Sequence, residues 1–190
     1  MYRIIYLMAL SVLFWSSGHF YAETVLQKIH LTTDTLSITK SPDQKNPFFT
    51  RIYFSKADAE KILAEKAYLS DSSSTIKKDT LECKAAYTAY SKDSKTGKTG
   101  AIYFMIEQYD QELSAKSAYN AIKISNENHE GVKIIQDMGD EAYFHSDGKN
   151  FYFILVRKGR TMFRIKVNKI TSHTSLNEFN MVAKNISNNL

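Results

Sequence analysis

Four residues in the C-terminal half, Asp140, Glu141, His145 and Asp147, form the densest group of possible metal ligands in the chain. Carboxylate and imidazole groups bind divalent metals, so their spacing decides whether one ion can be reached by all of them. On a strand, His145 and Asp147 share a face at ~7 Å, but Glu141 and His145 lie ~13 Å apart. The pattern favours a solvated strand face that ends in a turn. Before the strand, Asp140 and Glu141 are expected to accept backbone N–H groups in the turn after Gly139.

Cys83 is the only cysteine of the chain, which excludes an intrachain disulfide. It lies between Leu81 and Ala85 on the inward face of an alternating segment, so the pattern favours a small buried core residue. Two alternatives stay open: a nucleophile with a histidine brought near by folding, and a disulfide between two chains. Three further histidines, His30, His129 and His173, are isolated in sequence and belong to no paired-ligand motif. A metal site would therefore have to be assembled from residues distant in sequence.

Two short motifs match fragments of catalytic sequences. Ser37–Lys40 fits the Ser-x-x-Lys of penicillin-recognising serine enzymes and Lys95–Gly97 fits their Lys-Thr-Gly, but the Ser-Asp-Asn element is missing. Gly97–Thr99 matches part of a phosphate-binding loop, yet the earlier glycine that such a loop needs is replaced by Lys92. We therefore interpret Ser91–Gly100 as a flexible, basic, protruding turn, and we find no catalytic or cofactor motif.

The chain is rich in aromatic residues, with 12 tyrosines and 11 phenylalanines. Most aromatic residues of such a domain fill the core between sheet and helices. Exposed tyrosines, however, supply rigid and partly polar contact area for proteins or sugars. The candidates for an exposed aromatic surface are Tyr90, Tyr103, Tyr109 and Tyr152.

The elements that must position these residues follow from periodicity and capping signals. The segment Glu23–Phe54 predicts one or two strands. Ser55 with Asp58 resembles a capping box and predicts a first helix from about Lys56 to Lys66. The run Ser70–Ser74 is typical of a loop.

The next segments predict two strands and a second helix. One strand starts at Leu81 and the other is Ala101–Tyr109, joined by the polar Ser91–Gly100 turn. The helix runs from about Glu112 to Asn128, and its apolar residues at helical spacing are Leu113, Ala118, Tyr119 and Ile122.

A three-stranded meander is the clearest local pattern: about Glu141–Ser146, Asn150–Arg157 and Thr161–Asn168. The middle run is apolar on both faces, which predicts a central strand covered on both sides. The third run alternates apolar and basic residues, which predicts a strand nearer an edge. Ser175 with Glu178 predicts a capped C-terminal helix whose apolar stripe is Leu176, Phe179, Val182, Ile186 and Leu190.

The N-terminus has the layout of a secretory signal peptide: Arg3, then an apolar run from Ile4 to Trp15, then small and polar residues up to Ala22. The run is shorter than the ~20 residues that a spanning helix needs. Ala22 suits the position before the cut, whereas Phe20 does not suit the small-residue position, and Ser17 and Gly18 offer an alternative site nearby. Cleavage after Ala22 would leave one domain, residues 23–190, and would remove one charge from the chain's +5. We expect a secreted or periplasmic protein with no stable membrane span after cleavage. An uncleaved N-terminal anchor is the alternative.

The order of elements resembles small secreted domains with the PsbP-like fold, including exported lipoproteins of the LpqN kind. The resemblance spans roughly Phe54 to the C-terminus. This chain departs from those lipoproteins because it lacks their lipid-attachment cysteine. The residues that carry it are Ser55–Leu63 at the first helix, Cys83 in the next strand, and Met138–Tyr143 with Val156–Gly159 in the meander. It implies a sandwich of sheet and helices and a non-catalytic role, without naming a ligand.

These observations predict an α+β domain with an antiparallel sheet of about five or six strands and packed helices. The mild, dispersed basic charge favours anionic surfaces but does not form the cluster typical of nucleic-acid binders. We expect an exported, non-enzymatic binding or accessory domain for a protein or cell-envelope component, using the sheet edge or the Ser91–Gly100 loop. The alternative is an exported hydrolase whose site is assembled from residues distant in sequence.

Overall fold

The computed structural model describes residues 53–78 and 80–190, in which seven strands form one antiparallel sheet. The strands are β1 Ala67–Lys77, β2 Thr80–Ala89, β3 Ala101–Tyr109, β4 Val132–Ile135, β5 Glu141–Ser146, β6 Phe151–Lys158 and β7 Thr161–Asn168. The helices are α1 Lys56–Leu63, α2 Glu112–Asn126 and α3 Leu176–Asn188. The strand order is β1-β2-β3-β7-β6-β5-β4. The α+β class with an antiparallel sheet is confirmed, whereas the count of five or six strands is wrong.

The two edge strands account for the difference between the expected and observed sheet. Ser70–Ser74, expected as a loop, lies within β1, and β4 was not predicted at all. Every residue of β1 after Ala67 is exposed, so polar side chains are tolerated and the hydrophobic alternation of a strand is absent. Pairing with β2, rather than burial, defines β1 as a strand.

The meander is confirmed, but the expected position of its third strand is wrong. β6 is an interior strand with Ile154, Leu155 and Val156 fully buried, as its apolar run predicts. β7 was expected near an edge, yet it is the middle strand of the sheet. Its basic residues remain accessible, since Lys166 is exposed and Arg164, which pairs with Glu107 of β3 at 3.3 Å, is half buried. The alternation of β7 therefore reflects incomplete cover of one sheet face.

Helices α1 and α3 cover one face of the sheet and pack against each other. Ser55 and Asp58 form the predicted capping box, and α1 ends at Leu63 because Ala64 adopts a left-handed conformation. At α3, the Ser175 hydroxyl accepts the backbone N–H of Glu178. The buried residues of these helices are Ala59, Ile62, Leu63, Phe179, Val182, Ala183 and Ile186.

Helix α2 covers part of the opposite face. Tyr119 of α2 packs with Tyr143, Leu155 and Met162, which alternate along their strands with residues of the other core. Two residues expected in apolar stripes are exposed instead: Leu113, by 71%, near the start of α2, and Leu176, the first residue of α3. Both belong to the first turn of a helix.

Three predictions concern segments outside the described residues, namely the signal peptide at residues 1–22, the strands before Phe54 and the Ser37–Lys40 motif. Among the helices within 53–78 and 80–190, none has the length and apolar content that a membrane crossing requires.

Candidate functional site

The Ser91–Gly100 loop between β2 and β3 is built around a buried aspartate. Asp93 is 3% exposed, its backbone N–H donates to the carbonyl of Lys98, and its carbonyl accepts the N–H of Gly97. Its carboxylate also accepts the N–H groups of Lys95 and Thr96 and the Thr96 hydroxyl at 2.6 Å. The expectation that this polar segment only protrudes is therefore wrong at Asp93, although Lys95 and Thr96 are exposed.

The same carboxylate ties the loop to the segment before α3. The backbone N–H of Ser172 donates to Asp93 at 2.8 Å and the Ser172 hydroxyl at 3.0 Å. These bonds, led by the Ser172 N–H and the Thr96 hydroxyl, hold the pKa of Asp93 well below its usual range. The carboxylate is thus a fixed anion that joins two loops distant in sequence.

An open cleft of about 380 Å³ lies beside this junction. Lys66 and Lys92 give its lining two ammonium groups, and the imidazole of His173 is half exposed. The Oε1 atom of Glu65 is buried in the cleft lining and has no hydrogen-bond partner among the described residues. The lining is Glu65, Lys66, Tyr90, Ser91, Lys92, Asp93, Ser94 and His173.

Tyr90 of the cleft lining forms an exposed pair with Tyr68, which lies outside the lining. The ring centroids of Tyr68 and Tyr90 are 5.0 Å apart, and the side chains are 41% and 66% exposed. The backbone fixes the position of the two tyrosines, because the N–H of Tyr90 donates to the carbonyl of Lys66. This bond lies where β1 begins beside the end of β2. Packed rings held in this way present contact area at low entropic cost.

Only one of the four predicted exposed tyrosines is exposed. Tyr90 is, whereas Tyr103, Tyr109 and Tyr152 are half buried. Burial, reinforced by Glu107, raises the pKa of the Tyr109 hydroxyl far above its usual value. Tyr152 packs on the rings of its neighbours in the core, Phe144 and Phe179. Tyr68, which the sequence did not single out, completes the exposed pair.

The acidic group around His145 is divided between two structural roles. The Asp147 carboxylate accepts the N–H groups of Lys149, Asn150 and Phe151 and the Asn150 side-chain amide, so it shapes the β5–β6 turn. Asp140 accepts the N–H of Gly159 rather than one in its own turn. No set of three possible metal ligands is found within residues 53–78 and 80–190.

Arg157 is the buried charge that the sequence reasoning missed. Its side chain is 5% exposed and its guanidinium contacts Glu141 at 2.7 Å, Asp140 at 3.1 Å and Glu112 at 3.3 Å. The carboxylate Glu141, expected to accept N–H bonds, is therefore an ion-pair partner. Pairing the two predicted strands of the hairpin places Glu141 opposite Arg157, and this register was the available signal. The network is structural, since it locks α2 to the meander.

His129 lies beside His145, although the two are distant in sequence. The ring centroids are 5.7 Å apart, and His145 also meets the edge of Phe151 at 4.9 Å. Burial, followed by the nearby charge of His129, lowers the pKa of His145. This pair lies on the β4–β5 side of the sheet and is not part of the lysine-lined cleft.

Cys83 packs against the main core, but it is half buried rather than the buried core residue that the pattern favours. The Ser74 hydroxyl lies 3.4 Å from its sulfur. Burial raises the pKa of the Cys83 thiol, which disfavours the thiolate form that a nucleophile needs.

The Gly97–Thr99 fragment does not form a phosphate cradle. The Nζ atom of Lys98 donates to the carbonyl of Lys149 and to the side chain of Asn150. This lysine therefore joins the loop to the β5–β6 turn.

The cleft brings together a histidine, a carboxylate and two serines, so hydrolytic chemistry must be weighed. His173 Nε2 lies 3.8 Å from Asp93, beyond hydrogen-bond distance, and five other donors already occupy that carboxylate. Within the described residues, no hydrogen bond joins the His173 ring to Ser91 or Ser94. The arrangement therefore lacks the nucleophile–base–orienter contacts of a hydrolase.

Comparison with protein-family models, with curated proteins and with solved structures finds no match to this chain.

Proposed function

We propose that this chain is an exported, non-catalytic binding domain that holds its ligand in the cleft beside the Ser91–Gly100 loop. The observation that carries the proposal is the exposed Tyr68–Tyr90 pair at a cleft whose base is fixed by Asp93. A preorganised aromatic platform with polar neighbours is the usual composition of a binding surface. The signal-peptide pattern supports a secreted or periplasmic location.

The charges of the cleft favour an anionic ligand. Lys66 and Lys92 offer ammonium groups, and the charge of Asp93 is already bound by internal donors. The carboxylate of Glu65, whose Oε1 has no hydrogen-bond partner among the described residues, is the remaining anionic group of the lining, so two cations stand against one carboxylate. Lys66 also lies 3.4 Å from Glu60, but it is 85% exposed and free to turn towards a ligand. An acidic component of the cell envelope, or an acidic segment of an exported protein, fits these groups.

The architecture of the domain is a second, less specific argument for a binding role. Helices on both faces of one antiparallel sheet are compatible with the PsbP-like sandwich that the sequence resembles. We infer this fold family as part of the proposal, and it implies an accessory or binding role rather than catalysis.

Retention of an envelope component by the immobilised full chain tests the proposal. We expect Tyr90→Ala and Lys92→Glu each to reduce retention by about tenfold, as removal of a central contact does. Leu113→Ala and Lys116→Glu are matched controls, since both residues are exposed on α2 and lie outside the cleft lining. Equal retention by all four variants would reject the cleft as the site.

Point substitutions are preferable to deletion of residues 92–99. Deletion would remove Asp93, whose bonds to Ser172 join two loops, so loss of binding would be confounded by loss of structure. Lys92 and Tyr90 are exposed, and replacing them leaves those bonds in place.

The exported hydrolase remains a second candidate because the cleft contains His173, Asp93 and two serines. The two proposals differ in what His173→Ala does. Turnover of model esters by the wild-type chain, abolished in His173→Ala, would favour the hydrolase and contradict the non-catalytic proposal.

A further inference from the structure

The outer edge of β1 is open along its length among the described residues. Within residues 53–78 and 80–190, β1 is the first strand of the sheet and pairs with β2 alone. It carries no proline, and its only charged residues are Asp71 and Lys77. Natural edge strands usually carry features that prevent pairing with another chain. The one irregularity, a bulge between Leu69 and Asp71, leaves the following seven residues regular.

The hydrogen bonds of β2 show which backbone groups of β1 face outward. The N–H of Tyr90 donates to Lys66 just before β1, whereas the N–H of Ala89 donates to Gly100 just before β3. Backbone groups alternate in direction along a strand, so even-numbered residues of β2 face β1. Their partners in β1 are Tyr68, Asp71, Ser73, Thr75 and Lys77. The N–H and C=O groups of the alternate residues, Ser72, Ser74 and Ile76, therefore point away from the sheet.

We propose that β1 pairs in antiparallel fashion with β1 of a second copy of this chain, about a two-fold axis at Ser74. Outward-facing residues must meet outward-facing residues, which this register satisfies by placing Ser74 opposite Ser74 and Ser72 opposite Ile76. The same register places Asp71 of each copy opposite Lys77 of the other copy, which gives two pairs of opposite charge. The two charged residues share one face of the strand, because they are six positions apart.

The charge pattern selects this register over its neighbours. Shifting the axis by one residue in either direction leaves each Lys77 opposite an uncharged residue, Leu69 or Ser73. The side chain of Lys77 is 68% exposed, and its contact with Glu82 is long, at 3.6 Å. Its ammonium group is therefore able to turn towards Asp71 of the second copy. Ile76, which is 51% exposed, would gain cover from the facing strand. The paired strands would join two sheets into one and carry two tyrosine-lined clefts on one assembly.

Sedimentation equilibrium of the full chain over a range of concentrations tests the dimer. We expect a concentration-dependent dimer that Ser74→Pro reduces to monomer, because proline lacks the outward N–H. Ser74→Ala is the matched control: it also loses the hydroxyl near Cys83 but keeps the N–H, so dimerisation should persist. A wild-type chain that stays monomeric throughout would overturn the proposal, as would equal dimerisation of the proline variant.

A charge swap tests the register without altering the backbone. Asp71→Lys should weaken dimerisation by about tenfold, since two facing pairs become repulsive. The double variant Asp71→Lys with Lys77→Asp restores opposite charges and should recover the wild-type dissociation constant. Failure of the double variant to recover would reject this register. Ligand retention by the cleft is measured separately, so the two proposals fail independently.

Discussion

Asp93 shows how a single buried carboxylate can fix a loop that looks unstructured in sequence. Its depressed pKa means that its contribution to stability is complete above the ordinary aspartate value of about 4. That contribution is lost as the pH falls below this value towards the lower pKa of the folded state. The loop therefore depends on the charged form of one residue.

Asp93→Asn should accordingly lower the melting temperature at pH 7, because a neutral amide offers one acceptor oxygen to five donors. The difference in melting temperature between variant and wild type should narrow at pH 3. At that pH, which is below the ordinary aspartate pKa of about 4, the carboxylate of the unfolded wild-type chain takes up a proton, so part of the contribution of the charged form is already lost. Thermal unfolding at both pH values is the measurement. Asp110→Asn, at an exposed position, is the control. A difference that is equal at the two pH values would contradict the charged-anchor interpretation.

Arg157 has the opposite character, since it is a buried cation that three carboxylates surround. Arg157→Met should reduce the free energy of unfolding by about 3 kcal/mol, because the carboxylates and the Gly159 carbonyl lose a buried partner. Lys184→Met removes an exposed pair with Asp137 and should cost less than about 1 kcal/mol. Urea unfolding of both variants measures the contrast. Equal losses would show that the Arg157 network contributes no more than a surface pair.

Two turns flank β5 and contain glycines with similar backbones but different surroundings. Gly139 and Gly148 have φ values of 63° and 71°, so an L-residue is strained at both. A Cβ at Gly139 would lie 2.5 Å from the carbonyl oxygen of Arg157, whereas nothing lies within 4 Å at Gly148. The two positions therefore separate conformational strain from steric conflict.

Gly148→Ala should cost about 1 kcal/mol from the left-handed conformation alone. Gly139→Ala should cost about 2 kcal/mol more, because backbone atoms of β6 must move. The free energies of unfolding of the two variants provide the test. If the costs are the same, the turn before β5 can shift away from β6 without penalty.

The same elements show what the sequence could and could not reveal. β3, β5 and β7 and the caps of α1 and α3 were predictable, because alternation and capping are local signals. β1 was not, since a serine-rich edge strand is defined by its partner rather than by its own side chains. The central place of β7 was also hidden, because one of its faces is only partly covered.

At the scale of the whole molecule, the candidate site arises from contacts between distant segments. The cleft combines the segment between α1 and β1, the β2–β3 loop and the segment before α3. Sequence patterns predict the helices and strands that flank these segments. They do not predict that Asp93 contacts Ser172, which lies 79 positions away in the chain. Tyr90 and the loop could be singled out from the sequence, whereas Tyr68, Lys66 and His173 joined the site only through folding.

Export is the last whole-molecule prediction, and it concerns the segment before this domain. If the apolar run Ile4–Trp15 acts as a signal peptide, the exported protein should begin at Glu23 after cleavage behind Ala22. Intact-mass measurement and N-terminal sequencing of the exported product would show this. Leu10→Arg should stop export by placing a charge inside the apolar run, whereas Ser17→Thr, outside it, should not. An exported product that retains residues 1–22 would instead indicate an N-terminal anchor.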